Sequence, residues 1–118
     1  MTERAIGCAI EVHRHLGPGL LESIYQRCLV AELLANDFQI RQQVTVPIVY
    51  KGQVLESALR LDLLLDNAVI IEVKSVARIA PVFEAQLLSY LRLTGFRVGL
   101  LINFNVPALR HGVRRISN

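Results

Sequence analysis

Charged residues interrupt the largely apolar stretch LDLLLDNAVIIEVKS, residues 61–75. Asp62, Glu72 and Lys74 stand among Leu, Ile and Val, and ionised side chains are costly to bury unless something compensates their charge. Two neighbouring carboxylates suit a hard divalent cation such as Mg²⁺ or Mn²⁺. Such an ion lowers the pKa of a bound water and polarises a phosphoryl oxygen. The three residues therefore predict a metal-dependent site for phosphate chemistry, with Lys74 stabilising the developing negative charge.

This prediction requires the three side chains to share one face of a sheet. Glu72 and Lys74 are two residues apart on a predicted strand, so they point to the same side. Asp62 lies on the preceding strand of a proposed hairpin. Directly opposed residues of an antiparallel pair have numbers with a constant sum, so opposing Asp62 to Glu72 requires an odd connection such as Asp66-Asn67-Ala68. A two-residue turn would put the two carboxylates on opposite faces of the sheet. The alternative to a metal site is a solvated strand face with charges at alternate positions.

The hydrophobic periodicity predicts a mixed α/β fold in a single domain, residues 1–118. Helical spacing runs through residues 3–16, 20–35 and 82–94, and strand patterns fill most of the rest. The predicted order is α-α-β-β-β-β-α-β-β, in which the third helix connects two strands. No apolar run approaches the length of a membrane span, and the N-terminus has no apolar signal core, so we expect a cytoplasmic protein.

The charge distribution favours a polyanionic partner. The chain has a net charge of +3, and no carboxylate follows Glu84. Arg110, Arg114 and Arg115 lie in the last nine residues, and a basic segment of this kind suits nucleic acid. The alternative is a solubilising surface on a domain that is 53% hydrophobic. The same apolar excess leaves room for a homodimer interface.

Three groups of residues resemble one nuclease family. Asp62 followed by Glu72-Val73-Lys74 resembles the D…(D/E)xK signature of the PD-(D/E)xK nuclease superfamily. Downstream, Gln86 and Tyr90 are similar to a Q-x-x-x-Y motif found in one branch of that superfamily. Upstream, the segment GLLESIY at residues 19–25 matches the GxxExxY motif of a small family assigned to the same superfamily.

The resemblance implies a restriction-endonuclease-like core, αβββαβ, with a mixed sheet flanked by helices. It implies that Asp62, Glu72 and the backbone carbonyl of Val73 bind Mg²⁺ or Mn²⁺, and that Glu22 completes or orients the metal shell. It also implies that Lys74 is the catalytic lysine. Gln86 and Tyr90 would then position the lysine, the metal-bound water or a phosphate.

The function expected from these observations is Mg²⁺-dependent hydrolysis of phosphodiester bonds, most simply in DNA. Arg78 and the arginines 110, 114 and 115 would hold the phosphate backbone, which carries no sequence information. The main alternative is a module of the same fold that binds nucleic acid or protein while its site is weak or idle. A further alternative is hydrolysis of another phosphate ester, because the metal chemistry is shared.

Several of these residues also have ordinary structural explanations. Glu22 falls in the first turn of its helix, where any carboxylate is favoured by the helix dipole. Tyr25 of the GxxExxY segment suits a core aromatic residue with a tethered hydroxyl. Gln86 and Tyr90 suit a polar pair at the edge of the core. The sequence leaves these alternatives open.

Overall fold

Five strands form one mixed sheet in the order β1-β2-β3-β4-β5, and helices lie on both of its faces. The computed structural model describes residues 1–118, apart from the side chain of Ser57. The helices are α1 (Thr2–Leu16), α2 (Glu22–Ala35) and α3 (Pro81–Thr94), with a short 3₁₀ helix at Leu109–His111. The strands are β1 (Ile40–Tyr50), β2 (Gln53–Leu65), β3 (Val69–Lys74), β4 (Val98–Asn103) and β5 (Val113–Ser117).

The predicted α/β class and αβββαβ core are confirmed by the run from α2 to β4. β3 and β4 are parallel and α3 connects them, whereas the other neighbouring strands are antiparallel. The prediction of four strands before the third helix was wrong. Residues 53–65 form one continuous strand rather than two, so three strands precede α3. This arrangement is the restriction-endonuclease-like architecture that the resemblance implied.

The sheet separates two apolar cores. On one face, α1 and α2 pack against β3 and β4 through residues that include Ala9, Leu33 and Ile71. On the other face, α3 packs through Leu87 and Leu91. Because β3 is covered on both sides, it reads as a nearly continuous apolar run, and any charged residue on it must be buried or lie near an open end.

Local backbone conformation determines where α3 begins and ends. Pro81 occupies the first turn, where its missing N–H has no helical partner to lose. Gly95 ends the helix in the left-handed conformation, with φ of 82°. Gly99 on β4 lets the helix approach closely, since a Cβ there would lie 2.8 Å from Leu87 Cδ1. No helix within the described part of the chain combines the length and apolar character that a membrane crossing requires.

Candidate active site

The β2–β3 hairpin has the register that the sequence predicted. Leu63 pairs with Ile71 and Leu65 with Val69, which leaves the three-residue connection 66–68. Asp66 and Asn67 both adopt positive φ, and the Ala68 N–H donates to the Leu65 carbonyl at 2.9 Å. The expectation of an odd connection is therefore confirmed. The next position along the ladder sets Asp62 opposite Glu72.

The two carboxylates lie where the β2–β3 ladder ends, and each binds backbone of the opposite strand. The Asp62 N–H donates to Glu72 Oε1 at 3.3 Å, and the Val73 N–H donates to Asp62 Oδ2 at 3.0 Å. Beyond the last ladder pair, Leu63–Ile71, the backbone N–H groups thus donate to carboxylate oxygens instead of backbone carbonyls. This exchange fixes the two acids relative to each other. Glu72 is buried, at 6% exposure, and Asp62 is half-buried.

A local irregularity in β1 lies opposite Asp62, beside the end of the β2–β3 ladder. Gln43 has φ of 51°, and no ladder pair is formed between Gln42–Leu63 and Val44–Leu61. The side chains change faces across this point. Leu63 packs in the α1–α2 core, whereas Leu61, two residues away, packs in the α3 core. Asp62 lies between these two residues, at the position where the odd-numbered side chains of β2 change from the α1–α2 core to the α3 core.

The electrostatics of the pair are dominated by Glu72. Burial, reinforced by the negative charge of Asp62 and by the hydrogen bond with it, raises the pKa of Glu72 to about 9. The backbone N–H of Asp62 and the positive charge of Lys74 act in the opposite direction. Burial also raises the pKa of Tyr90 on α3, and the charges of Glu72 and Asp62 add to that shift. Tyr90 therefore lies within electrostatic reach of the acidic pair.

Lys74 follows Glu72 on the same face of β3, as the alternation predicted. Its ammonium lies 4.6 Å from the centre of the Phe83 ring in the first turn of α3. This cation–π contact holds a half-buried charge that forms no ion pair with any of the described residues. Across the sheet, Lys74 pairs with Asn103 of β4, and its carbonyl accepts from the Phe104 N–H at 3.0 Å.

Glu22 lies at the end of β3 rather than inside the acidic pair. Its Oε1 accepts from the Ser75 N–H at 3.3 Å, and the Ser75 hydroxyl donates to the Leu20 carbonyl at 2.5 Å. Glu22 is exposed. Among the described residues, no three His, Cys, Asp or Glu side chains form a cluster suited to a metal ion, so Glu22 does not join Asp62 and Glu72 in a preformed cage.

Tyr25 explains the spacing of the GLLESIY segment. Its hydroxyl donates to the Gly17 carbonyl and accepts from the Leu20 N–H at 3.2 Å, while its ring stacks on Phe104 at 4.6 Å. Gly19 has φ of 98°, which favours glycine. The expectation of a core aromatic with a tethered hydroxyl is confirmed. The tether fixes the turn that delivers the first residue of α2 to β3.

The two residues of the Q-x-x-x-Y motif differ in placement. Tyr90 packs at the edge of the α3 core, near the carboxylates. Gln86 lies one turn earlier and is exposed, and within the described residues no hydrogen bond joins it to the acidic pair. The structure thus brings Asp62, Glu72, Lys74 and Tyr90 together, with Gln86 at the rim.

Asn103 is a positioning residue that the sequence analysis did not identify. It is 1% exposed, and its amide donates to the Val76 carbonyl and accepts from the Val76 N–H, both at 3.0 Å. Asn105 adds a weaker contact to the same carbonyl at 3.3 Å. The amide therefore clamps the loop of residues 75–80, which follows Lys74 directly. The available signal was a polar residue closing the apolar strand VGLLIN.

The predicted phosphate-binding arginines lie on different parts of the surface. Arg78 is exposed in the loop 75–80. Arg114 pairs with Leu101, which in turn pairs with Glu72, so it lies two strands from the acidic pair. Its Nε lies 3.4 Å from Glu84 of α3. Arg115 points to the opposite face by strand alternation. Arg110 lies beside α1.

An Asp–Glu pair with a lysine two residues downstream, on a mixed sheet with the αβββαβ order, is typical of nuclease-like proteins. Comparison with protein families gives the same result, since the model of the PD-(D/E)XK nuclease superfamily matches residues 1–116. The chain belongs to this superfamily. No curated protein and no solved structure shows a significant match to this chain.

Proposed function

We propose that the protein is a Mg²⁺-dependent nuclease that hydrolyses phosphodiester bonds in DNA. The observation that carries this proposal is the mutual locking of the Asp62 and Glu72 carboxylates at the open end of the β2–β3 ladder, with Lys74 on the same face. Membership of the nuclease superfamily supports it. The segment at residues 19–25 supports placing the chain in the GxxExxY branch, because each of its three motif residues has a defined structural task.

The residues present fit a hard divalent cation. Asp62, Glu72 and the Val73 carbonyl would hold Mg²⁺ or Mn²⁺, because all three offer oxygen donors. Bound there, the ion would supply Lewis-acid stabilisation of the phosphoryl group and an acidified water. Glu22 would support this shell from outside by fixing the end of β3 through the Ser75 N–H.

The remaining residues act on the phosphate and its surroundings. Lys74 would exchange the Phe83 ring for the phosphoryl oxygens, where its charge counters the negative charge that develops during hydrolysis. Tyr90 would hold the scissile phosphate or Lys74 from the α3 side. Gln86, exposed at the rim, would contact the neighbouring backbone.

The proposed substrate contacts follow from the location of the arginines. Arg78 extends from the loop beside the site, and Arg114 lies on the same sheet face as Glu72, so we assign the main phosphate contacts to these two. Arg110 and Arg115 would contact a longer duplex that passes around the sheet edge. The proposed compartment is the cytoplasm, where unpaired thiols such as Cys8 and Cys28 remain reduced.

Cleavage assays test the proposal. Plasmid, linear duplex and single-stranded DNA are incubated with Mg²⁺, Mn²⁺ or EDTA, using the wild type, Glu72→Gln and Lys74→Ala. We expect metal-dependent cutting that falls by about a hundredfold or more in both variants, since each removes a charge acting on the transition state. Glu3→Gln, which alters an exposed carboxylate on α1, is the matched control and should cut normally. Cutting that survives EDTA or both variants contradicts the proposal.

Two observations favour the alternative of a binding module with an idle site. The Lys74 ammonium lies against the Phe83 ring, away from a substrate. The raised pKa of Glu72 keeps the Glu72 carboxyl protonated at neutral pH, so the metal-free site lacks one of its two negative charges. For such a module we expect salt-sensitive nucleic-acid binding without cutting, unchanged by Glu72→Gln. The same set of samples, measured for binding as well as cutting, separates the two functions.

A further inference from the structure

Strands β1 and β2 extend beyond the rest of the sheet as a two-stranded arm, defined here as residues 46–58. Within the described residues, β3 pairs with β2 only through Leu63–Leu65, so the arm consists of β1 and β2 without a third strand. A two-stranded hairpin without further packing is marginally stable in water. The arm therefore requires a cover to hold its apolar side chains out of solvent.

The exposed apolar side chains of the arm lie on both of its faces. Val49 and Val54 form one cross-strand pair and are 66% and 57% exposed. Tyr50 and Leu55 project from the other face, at 60% and 48% exposure. Each face thus exposes two large apolar residues close to the turn, which is the kind of surface that marks a protein interface.

The charge of the arm argues for a protein partner over a nucleic acid. Lys51 and Glu56 are the only charged residues in the segment 46–58, so the arm has no net charge. A surface that binds the phosphate backbone is expected to be cationic. Both residues are exposed, and no ion pair joins them within the described part of the chain.

The edge of β1 is poorly suited to extending the sheet into a neighbouring molecule. Pro47 has no N–H to donate, and the register shifts beside it, between Val46 and Ile48. Association through a continuous ladder along β1 is therefore unfavourable. The apolar faces of the arm remain the available contact surface.

We propose that the arm binds the arm of a second copy of this chain, packed antiparallel about a two-fold axis. A two-fold interface brings residue i of one protomer to residue j of the other and the reverse. In this arrangement Lys51 of each protomer lies next to Glu56 of the partner subunit, and the face that carries Val49 and Val54 covers the same face of the second arm. The charge complementarity of the two arms selects the second copy as the occupant. This inference does not depend on the proposed nuclease activity.

Charge reversal tests the proposal directly. Molecular mass is measured by sedimentation equilibrium for the wild type, Lys51→Glu, Glu56→Lys and the double variant, from low to high micromolar concentration. Each single reversal places like charges together at both symmetry-related contacts, so we expect the dimer dissociation constant to rise about tenfold or more. The double variant should dimerise as the wild type does. Arg27→Glu, an exposed reversal on α2, is the matched control.

A mixture of the two single variants provides the sharpest result. Lys51→Glu presents two acidic residues and Glu56→Lys presents two basic ones, so a mixed pair regains attraction at both contacts. We expect the mixture to dimerise more tightly than either variant alone. A wild type that is monomeric at every concentration, or a dimer indifferent to all reversals, overturns the proposal. Weaker DNA binding by Lys51→Glu at unchanged mass also overturns it, because the arm would then contact nucleic acid.

Discussion

Glu72 determines the electrostatic state of the site because its carboxyl is buried on a central strand beside a second carboxyl. Burial first, and then the charge of Asp62, raise its pKa to about 9, so the metal-free protein holds a proton there at neutral pH. A divalent ion would favour the ionised form, as Lys74 already does more weakly. Metal binding should therefore release a proton from this residue.

The stability of the metal-free protein should consequently fall as pH rises. The unfolded chain loses the Glu72 proton near the ordinary carboxyl pKa, whereas the folded protein keeps it until about 9. Stabilisation by this proton is complete below the ordinary value and is lost as pH passes through the folded value. In EDTA, we expect the free energy of unfolding from urea titrations to decline between about pH 5 and 9, by at most about 1.4 kcal/mol per pH unit.

Two comparisons isolate this effect. Glu72→Gln removes the titrating group and should flatten the slope, while Glu3→Gln should retain it. Under the proposed function, saturating Mg²⁺ should flatten the wild-type slope as well, because a carboxylate that bound the ion would carry no proton. Parallel slopes for the wild type and Glu72→Gln in EDTA would show that another group controls the pH dependence.

At the scale of elements, the end of β4 organises the loop that follows β3. The Asn103 amide takes both the N–H and the carbonyl of Val76, so the first turn of the loop is fixed to a strand that is buried on both faces. The same loop begins next to Lys74 and carries Arg78. A change at Asn103 should therefore reach the site without touching any of its charged residues.

Asn103→Leu should destabilise the protein and loosen this loop. It leaves the Val76 N–H and carbonyl without their main partner, at a cost of roughly 2 kcal/mol in the free energy of unfolding. Hydrogen exchange should speed up across residues 75–80 while the core of β3 stays protected. Asn105→Leu, which removes only the weaker 3.3 Å contact, is the matched control. Asn103→Asp keeps the acceptor and should recover part of the protection. Uniform exchange changes over the whole sheet would contradict a local clamp.

At the scale of the whole molecule, the predictable part of the fold is the part governed by local periodicity. The facing of Asp62 and Glu72 followed from counting residues in a hairpin, and α3 followed from apolar spacing between Pro81 and Gly95. The face change at Gln43 was not predictable, because a glutamine at positive φ has no sequence signature. The placement of the tail arginines on different faces could not be predicted either, since it depends on which strand β5 pairs with.

That separation gives the molecule one basic residue of the tail on the face of the site, and DNA binding should reveal it. With a short duplex that does not reach around the sheet edge, Arg114→Ala should weaken binding and reduce the salt dependence by about one phosphate contact, whereas Arg115→Ala, one residue along the same strand, should change little. Glu84→Gln should strengthen binding, because it frees Arg114 from its ion pair. Fluorescence anisotropy over a salt series in EDTA measures all three without cleavage. Equal losses from Arg114→Ala and Arg115→Ala would mean that the duplex contacts both faces of the sheet edge, and the assignment of the substrate to the α3 side would then be wrong.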